Sequence, residues 1–176
     1  IDCQAVESAI TEKTKAIIPV HLFGQCADIG ALMAISNKTG IPIIEDTAQS
    51  LLSTYCDEKG LSGRAGLFGS FGTTSFFPSK NLGCLGDGGA LFTRDRDLAQ
   101  TAKAITNHGG SIRYQHDRVG LNSRLDSLQA AILRVKLPHL NTHITQRQKA
   151  AAIYDDLLKS VEGVAIPERD EKSTHV

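Results

Sequence analysis

Residues 28–44 carry a helix pattern with both ends marked, running directly into a short apolar strand, and few architectures accept that order. Asp28 stands where an N-cap belongs, Ile29, Leu32, Met33 and Ile35 fall on one face, and Gly40 closes the pattern. The run IPII at 41–44 follows at once, a continuous apolar stretch of the kind a parallel strand needs when both its faces are covered. A β-branched run from Ile17 to Val20, interrupted by Pro19, precedes the helix and gives way to a loop at Gly24. Strand, helix and strand in this order predict an α/β chain with a mostly parallel sheet flanked by helices. The second strand delivers Glu45 and Asp46 at its carboxyl end, the edge at which open α/β sheets bind ligands.

The remaining pattern extends this frame. Residues 49–70 have little period and several Gly and Ser, and read as a loop with a minor hairpin. GSFGTTSFF at 69–77 and GGALFT at 88–93 are strand-like, and Asp95 opens a helix with Leu98, Ala102 and Ile105 on one face, ending near Asn107 to Gly110. Residues 123–159 form a long helical pattern that Pro138 is expected to kink or divide. The tail from Val161 to Val176 reads as a turn into a second, smaller domain. The chain starts at Ile1, without an initiator Met, and is expected to be part of something longer. Residues 1–140 then form the central part of a large domain, and residues 141–176 a connecting helix and the start of a small one.

Charge and cysteine usage narrow the function classes. Lys and Arg together number 19, as do Asp and Glu, so no basic excess points to a nucleic-acid backbone or a membrane surface. No apolar run approaches the length of a membrane span. Cys3, Cys26, Cys56 and Cys84 lie far apart without metal-ligand spacing, which fits reduced thiols in a cytoplasmic enzyme and no metal.

TSFFPSKNLGCLGDGGALFT at 74–93 sets a single lysine, Lys80, among hydroxyls, two phenylalanines and a run of glycines. A lysine held in such a partly dry pocket loses hydration and becomes a usable amine nucleophile. A solvated lysine beside a flexible glycine turn fits the same segment. Asp46, with Gln49 three residues later, stands where a carboxylate meets a positively charged ring nitrogen, or where an Asp simply caps a turn. Taken together, an acid for a pyridinium and a lysine for an aldehyde are what pyridoxal 5'-phosphate asks of its protein. Ser75 offers a hydroxyl to the phosphate.

IIPVHLFGQCADI, IIEDTAQS, the Lys80 segment, NHGG and VGLNSRLDSLQAAILRVKLPHL occur in that order over nearly the whole chain. With these motifs the sequence resembles the DegT/StrS-type sugar aminotransferases, fold-type I pyridoxal phosphate enzymes. The resemblance implies transfer of an amino group from glutamate to a nucleotide-linked keto sugar, in the synthesis of cell-surface polysaccharide or glycoconjugate precursors. It implies that Lys80 condenses with the cofactor aldehyde and then moves the substrate proton, that Asp46 pairs with the ring nitrogen, and that Gln49 lies near the phenolic oxygen. Ser75 would contact the phosphate. Asn122 is similar to the asparagine that reaches the phosphate of the neighbouring subunit's cofactor, so a homodimer with a shared active site is expected.

Arg124 is a candidate for a substrate carboxylate, or else an ion-pair partner of Asp126 or Asp117; Asn122 also suits a helix cap. His21 and His108 are expected to be structural hydrogen bonders. Related proteins with histidine in place of the lysine are dehydratases, against which Lys80 argues, and others keep the fold as regulators. A different pyridoxal phosphate activity, as sugar dehydratase or cofactor-binding regulator, is the alternative reading. Leu51 and Leu52 stand where such proteins usually carry a small residue or glycine, and are expected to narrow the space beside the loop. The family's phosphate loop and ring-stacking aromatic precede Ile1, so the chain alone is expected to bind cofactor weakly or not at all.

Overall fold

The computed structural model describes residues 1–112 and 114–176. Helix α1, Cys3–Ala9, starts at Asp2, whose side chain accepts the N–H groups of Gln4 and Ala5. Helix α2, Ile29–Thr39, is bounded as its sequence requires: Asp28 accepts the N–H of Ala31 at 3.1 Å, and Gly40 closes it with φ 72°. A Cβ at Gly40 meets nothing within 4 Å, so Gly40→Ala is expected to cost about 1–2 kcal/mol through left-handed strain alone. Urea unfolding of the pair of proteins measures this.

Strands β1, Ile44–Asp46, and β4, Phe71–Ser75, run parallel with Ile44 opposite Phe71 and Asp46 opposite Thr73. Between them, β2, Thr54–Cys56, and β3, Ser62–Arg64, form the expected hairpin. Strand β5, Gly89–Phe92, adds antiparallel to β4, Ser75 facing Gly89. Residues 17–20 lie parallel to β1 through bridges Ile17 to Ile43 and Val20 to Asp46. Pro19 accepts from the Asp46 N–H at 2.9 Å but has no N–H to return, which reduces this strand to separate bridges.

Helix α3, Arg96–Thr106, begins at Asp95 as its cap pattern predicts. The long pattern of residues 123–159 starts later than expected and is divided at the proline: α4 is Ser127–Lys136, a 3₁₀ turn covers Leu137–His139, and α5 is Leu140–Leu158. Two apolar cores result. Ile29, Leu32 and Ile35 of α2 bury against Ile17, Ile43 and Tyr55, while Leu133, Leu140 and Ile144 of α4 and α5 bury against Leu82 and Cys84. Residues 172–174 lie along β2, with Lys172 O accepting from Cys56 N at 2.8 Å and Thr174 N donating to Thr54 O at 2.9 Å. Among the described residues no helix is long and apolar enough to cross a membrane.

Candidate active site

Because β1 and β4 are parallel, Asp46 and Ser75 emerge at the same carboxyl edge, Asp46 opposite Thr73 and Ser75 two residues further on. Strand alternation separates the two acids of β1. Glu45 points inward and is fully buried, whereas Asp46 is half-buried. The Glu45 carboxylate accepts the N–H groups of Gly66, Phe68 and Gly69, each at 2.7 Å, and faces His21 Nε2 at 3.0 Å. His21 Nδ1 accepts the Ala27 N–H at 2.9 Å, so the ring proton sits on Nε2 and is donated to Glu45. Burial pushes the Glu45 carboxyl upward, but the bonds from His21, Gly69, Gly66 and Phe68 outweigh it and hold the group below its usual range. His21 is thus a structural hydrogen bonder.

Asp46 Oδ1 accepts the Ala48 N–H at 2.9 Å, and among the described residues Oδ2 has no hydrogen-bond partner. Gln49 Oε1 accepts the Phe23 N–H at 3.0 Å, and among the described residues its amide NH₂ makes no hydrogen bond. Ser75 Oγ accepts from Phe77 N at 3.2 Å and keeps its own proton to give. Lys80 is half-buried at the head of the loop after β4, its N–H bonded to Phe77 O at 2.9 Å. Its Nζ makes no hydrogen bond or ion pair among the described residues.

The lysine loop is closed at its base and held from behind. Phe76 N donates to Gly88 O at 2.7 Å and Cys84 N to Phe76 O at 2.8 Å. From α4, Lys136 Nζ donates to Gly83 O at 2.6 Å and Gln129 accepts from Leu85 N at 2.9 Å. A Cβ at Gly83 lies 2.4 Å from Pro78 O and 2.8 Å from Phe77 O, both rigid backbone atoms. Gly83→Ala is therefore expected to displace the Lys80 turn and weaken cofactor binding by about 10-fold or more, measured by cofactor titration of the full-length protein. Leu51 and Leu52 pack against this same core, Leu52 with φ 75°.

Asn122 and Arg124 stand in the segment before α4. Asn122 is exposed and bridged to Asn107, and its Oδ1 accepts from Arg124 Nε at 2.9 Å. It does not cap α4, whose N-cap position is Asp126. Arg124 forms no ion pair with Asp126 or Asp117; it lines a cleft of about 460 Å³ with Gly88, Gly89 and Ser123, beside the start of β5. Among the described residues no hydrogen bond joins Asn122 to Asp46, Gln49, Ser75 or Lys80. His108 takes φ 60° and donates its N–H to Leu121 O at 2.8 Å.

Three features were missed by sequence reasoning: the left-handed Phe23 against Gln49, the buried Glu45 network, and Asn81. Among the described residues Asn81 Nδ2 and Ser50 Oγ are buried without a hydrogen-bond partner, one residue after Lys80 and Gln49 respectively. Donors at Gln49 and Lys80 and a carboxylate oxygen at Asp46 that are unengaged among the described residues suit a ligand carrying anionic oxygens and a protonated ring nitrogen. Pyridoxal phosphate fits that donor set.

An α/β sheet with acid, amide, hydroxyl and loop lysine along one carboxyl edge is the large-domain architecture of the fold-type I transferases. Residues 1–176 match the DegT/DnrJ/EryC1/StrS aminotransferase family, to which the chain belongs. It is 53% identical over 95% of its length to the UDP-2-acetamido-2-deoxy-3-oxo-D-glucuronate aminotransferase of Pseudomonas aeruginosa, covering 45% of that protein. It is 48% identical over its whole length to a pleiotropic regulatory protein of Geobacillus stearothermophilus, covering 46% of it. The crystal structure of S. venezuelae DesV in complex with a ketimine intermediate superposes on 99% of this chain, 46% of its own, with TM-score 0.91 and 40% identity. The chain thus spans just under half the length of these relatives.

Proposed function

We propose that the protein is a pyridoxal phosphate-dependent aminotransferase that carries an amino group from glutamate to a nucleotide-linked keto sugar, acting as a cytoplasmic homodimer in the synthesis of cell-surface polysaccharide or glycoconjugate precursors. The observation that carries this reading is the placement of Asp46 and the Lys80 loop at one carboxyl edge. Pyridoxal phosphate, when bound, supplies an electron sink that acidifies the carbon next to the substrate nitrogen.

The chain's own residues do the rest. Lys80 Nζ would hold the cofactor through its aldehyde carbon and, once the substrate amine has displaced it there, would be free to take a proton from the substrate carbon and return it. Asp46 keeps the ring nitrogen protonated by pairing with it, which costs little because Asp46 Oδ2 is otherwise unengaged. The Gln49 NH₂ would donate to the ring's phenolic oxygen, and the Ser75 hydroxyl to the phosphate. Asn122 serves the phosphate of the neighbouring subunit, and Arg124 beside it pairs with the glutamate carboxylate.

The relative named a pleiotropic regulatory protein favours a second reading, a regulator on the same fold. Both are tested on the full-length protein by adding pyridoxal phosphate, then glutamate, then a panel of nucleotide-linked keto sugars. A visible band that glutamate bleaches and one keto sugar restores supports the aminotransferase. A band indifferent to glutamate supports the regulator, and no band at all refutes both.

A further inference from the structure

Phe23 occupies a conformation that a bulky residue avoids. In the turn Leu22–Gly24 it has φ 54° and ψ 27°, the left-handed region where a side chain meets its own backbone. Such strain persists only where the surroundings impose it, and it gathers at functional sites. Here the surroundings act on the backbone from both sides. The Phe23 N–H is bonded to Gln49 Oε1 at 3.0 Å, and its carbonyl accepts from His175 Nε2. Gly24 behind it is buried, and a Cβ there would lie 2.4 Å from Val176 O. Phe23 is 74% exposed, so its own burial does not repay the strain.

Leu52 has a similar φ of 75° but its side chain packs into the second core, and His108 stands beside the two glycines of NHGG. Neither combines strain with an exposed aromatic ring and a bond to a candidate cofactor residue. Phe23 also follows Val20, which bridges to Asp46, and His21, whose N–H donates to Asp46 O at 3.0 Å. Phe23 is therefore held at the carboxyl edge, bonded directly to Gln49 and two residues beyond the His21 bond to Asp46.

We infer that the Phe23 ring is a wall of the substrate site, against which the C–H face of the keto sugar ring lies while Gln49 is held by the same residue's backbone. The inference rests on the aminotransferase reading and adds a specificity-determining residue to it. An aromatic face covers the apolar side of a hexose, whereas glutamate has no such ring to offer, so the two half reactions respond differently to loss of the ring. The left-handed φ explains the choice of position: it directs the ring away from the core while both backbone groups stay bonded.

Glycine adopts this φ without strain, so Phe23→Gly removes the ring and leaves the turn. In the full-length protein, Phe23→Gly is expected to raise KM for the nucleotide-linked keto sugar about 10-fold. The glutamate half reaction should stay within about 2-fold of wild type, and the melting temperature should fall by no more than about 2 °C. Phe23→Tyr, which keeps the ring, should restore the sugar KM. An unchanged sugar KM in Phe23→Gly, an equal slowing of both half reactions, or dissociation of the assembly overturns the inference. Absence of a glutamate-sensitive band in wild type removes the aminotransferase reading and this inference together; a reactive wild type with an indifferent Phe23→Gly removes this inference alone.

Discussion

Lys80→Ala is expected to abolish the visible absorbance band of lysine-bound pyridoxal phosphate and to lower turnover by about 10³-fold or more, since the amine that holds the cofactor and moves the proton is lost together. Lys80→Arg is expected to fail as well, because a guanidinium keeps its charge and forms no bond to an aldehyde. The substitution removes no core contact: Lys80 is half-buried and its side chain makes no hydrogen bond or ion pair among the described residues. Chemical denaturation should therefore find the variant as stable as wild type to within about 0.5 kcal/mol. Asp46→Asn separates the two anchors. It should keep the band, because Lys80 is intact, while slowing the glutamate half reaction by about 10²-fold, because a neutral amide no longer holds the proton on the ring nitrogen. A Lys80→Ala protein that retains the band would move the cofactor lysine elsewhere in the chain.

What the amino-acid order disclosed depends on the range of the interactions involved. Helices α2 and α3 were legible because Asp28, Gly40 and Asp95 act within one turn of their own positions, and Pro138 divides α4 from α5 by a local loss of a donor. Helix α1 was passed over: seven residues carry too little period to stand out, though Asp2 caps it like the others. The strand expected at 41–44 is shifted to Ile44–Asp46, because Pro42 cannot donate to a ladder. The pairing of residues 172–174 with β2 spans more than a hundred positions, so no local pattern could disclose it. Within the candidate site, residue types were legible and directions were not. Glu45 and Asp46 stand together in the sequence, and only the pleat sends one to the core and the other to the ligand edge. Likewise the bond that holds the Gln49 amide comes from Phe23, 26 positions away.

The inward acid carries the largest expected effect on stability. Glu45→Ala would strand four donors, the fully buried Gly66 N–H and His21 Nε2–H and the half-buried N–H groups of Phe68 and Gly69. Each orphaned buried donor costs about 1–3 kcal/mol, so the variant is expected to lose about 4 kcal/mol or more, a large share of an ordinary domain's stability. Glu45→Gln keeps the shape but sets an NH₂ against at least one of those donors, and should fall between the two. The native carboxyl sits below its ordinary range because the hydrogen bonds outweigh burial. A group whose folded pKa is depressed stabilises the fold above its unfolded value and loses that contribution as pH falls through the folded one. The wild type should thus have the full contribution at neutral pH and lose it progressively below about pH 4.5, whereas Glu45→Gln should lack this component of the acid slope. Urea midpoints of both proteins from pH 7 down to pH 3 read the difference directly. Cofactor affinity should follow stability, since Glu45 ties the segment 66–69 and His21 to the strand whose next residue is Asp46. Equal midpoints for Glu45→Ala and wild type at pH 7 would mean that these four donors find other partners, and that the frame under Asp46 does not depend on the buried carboxylate.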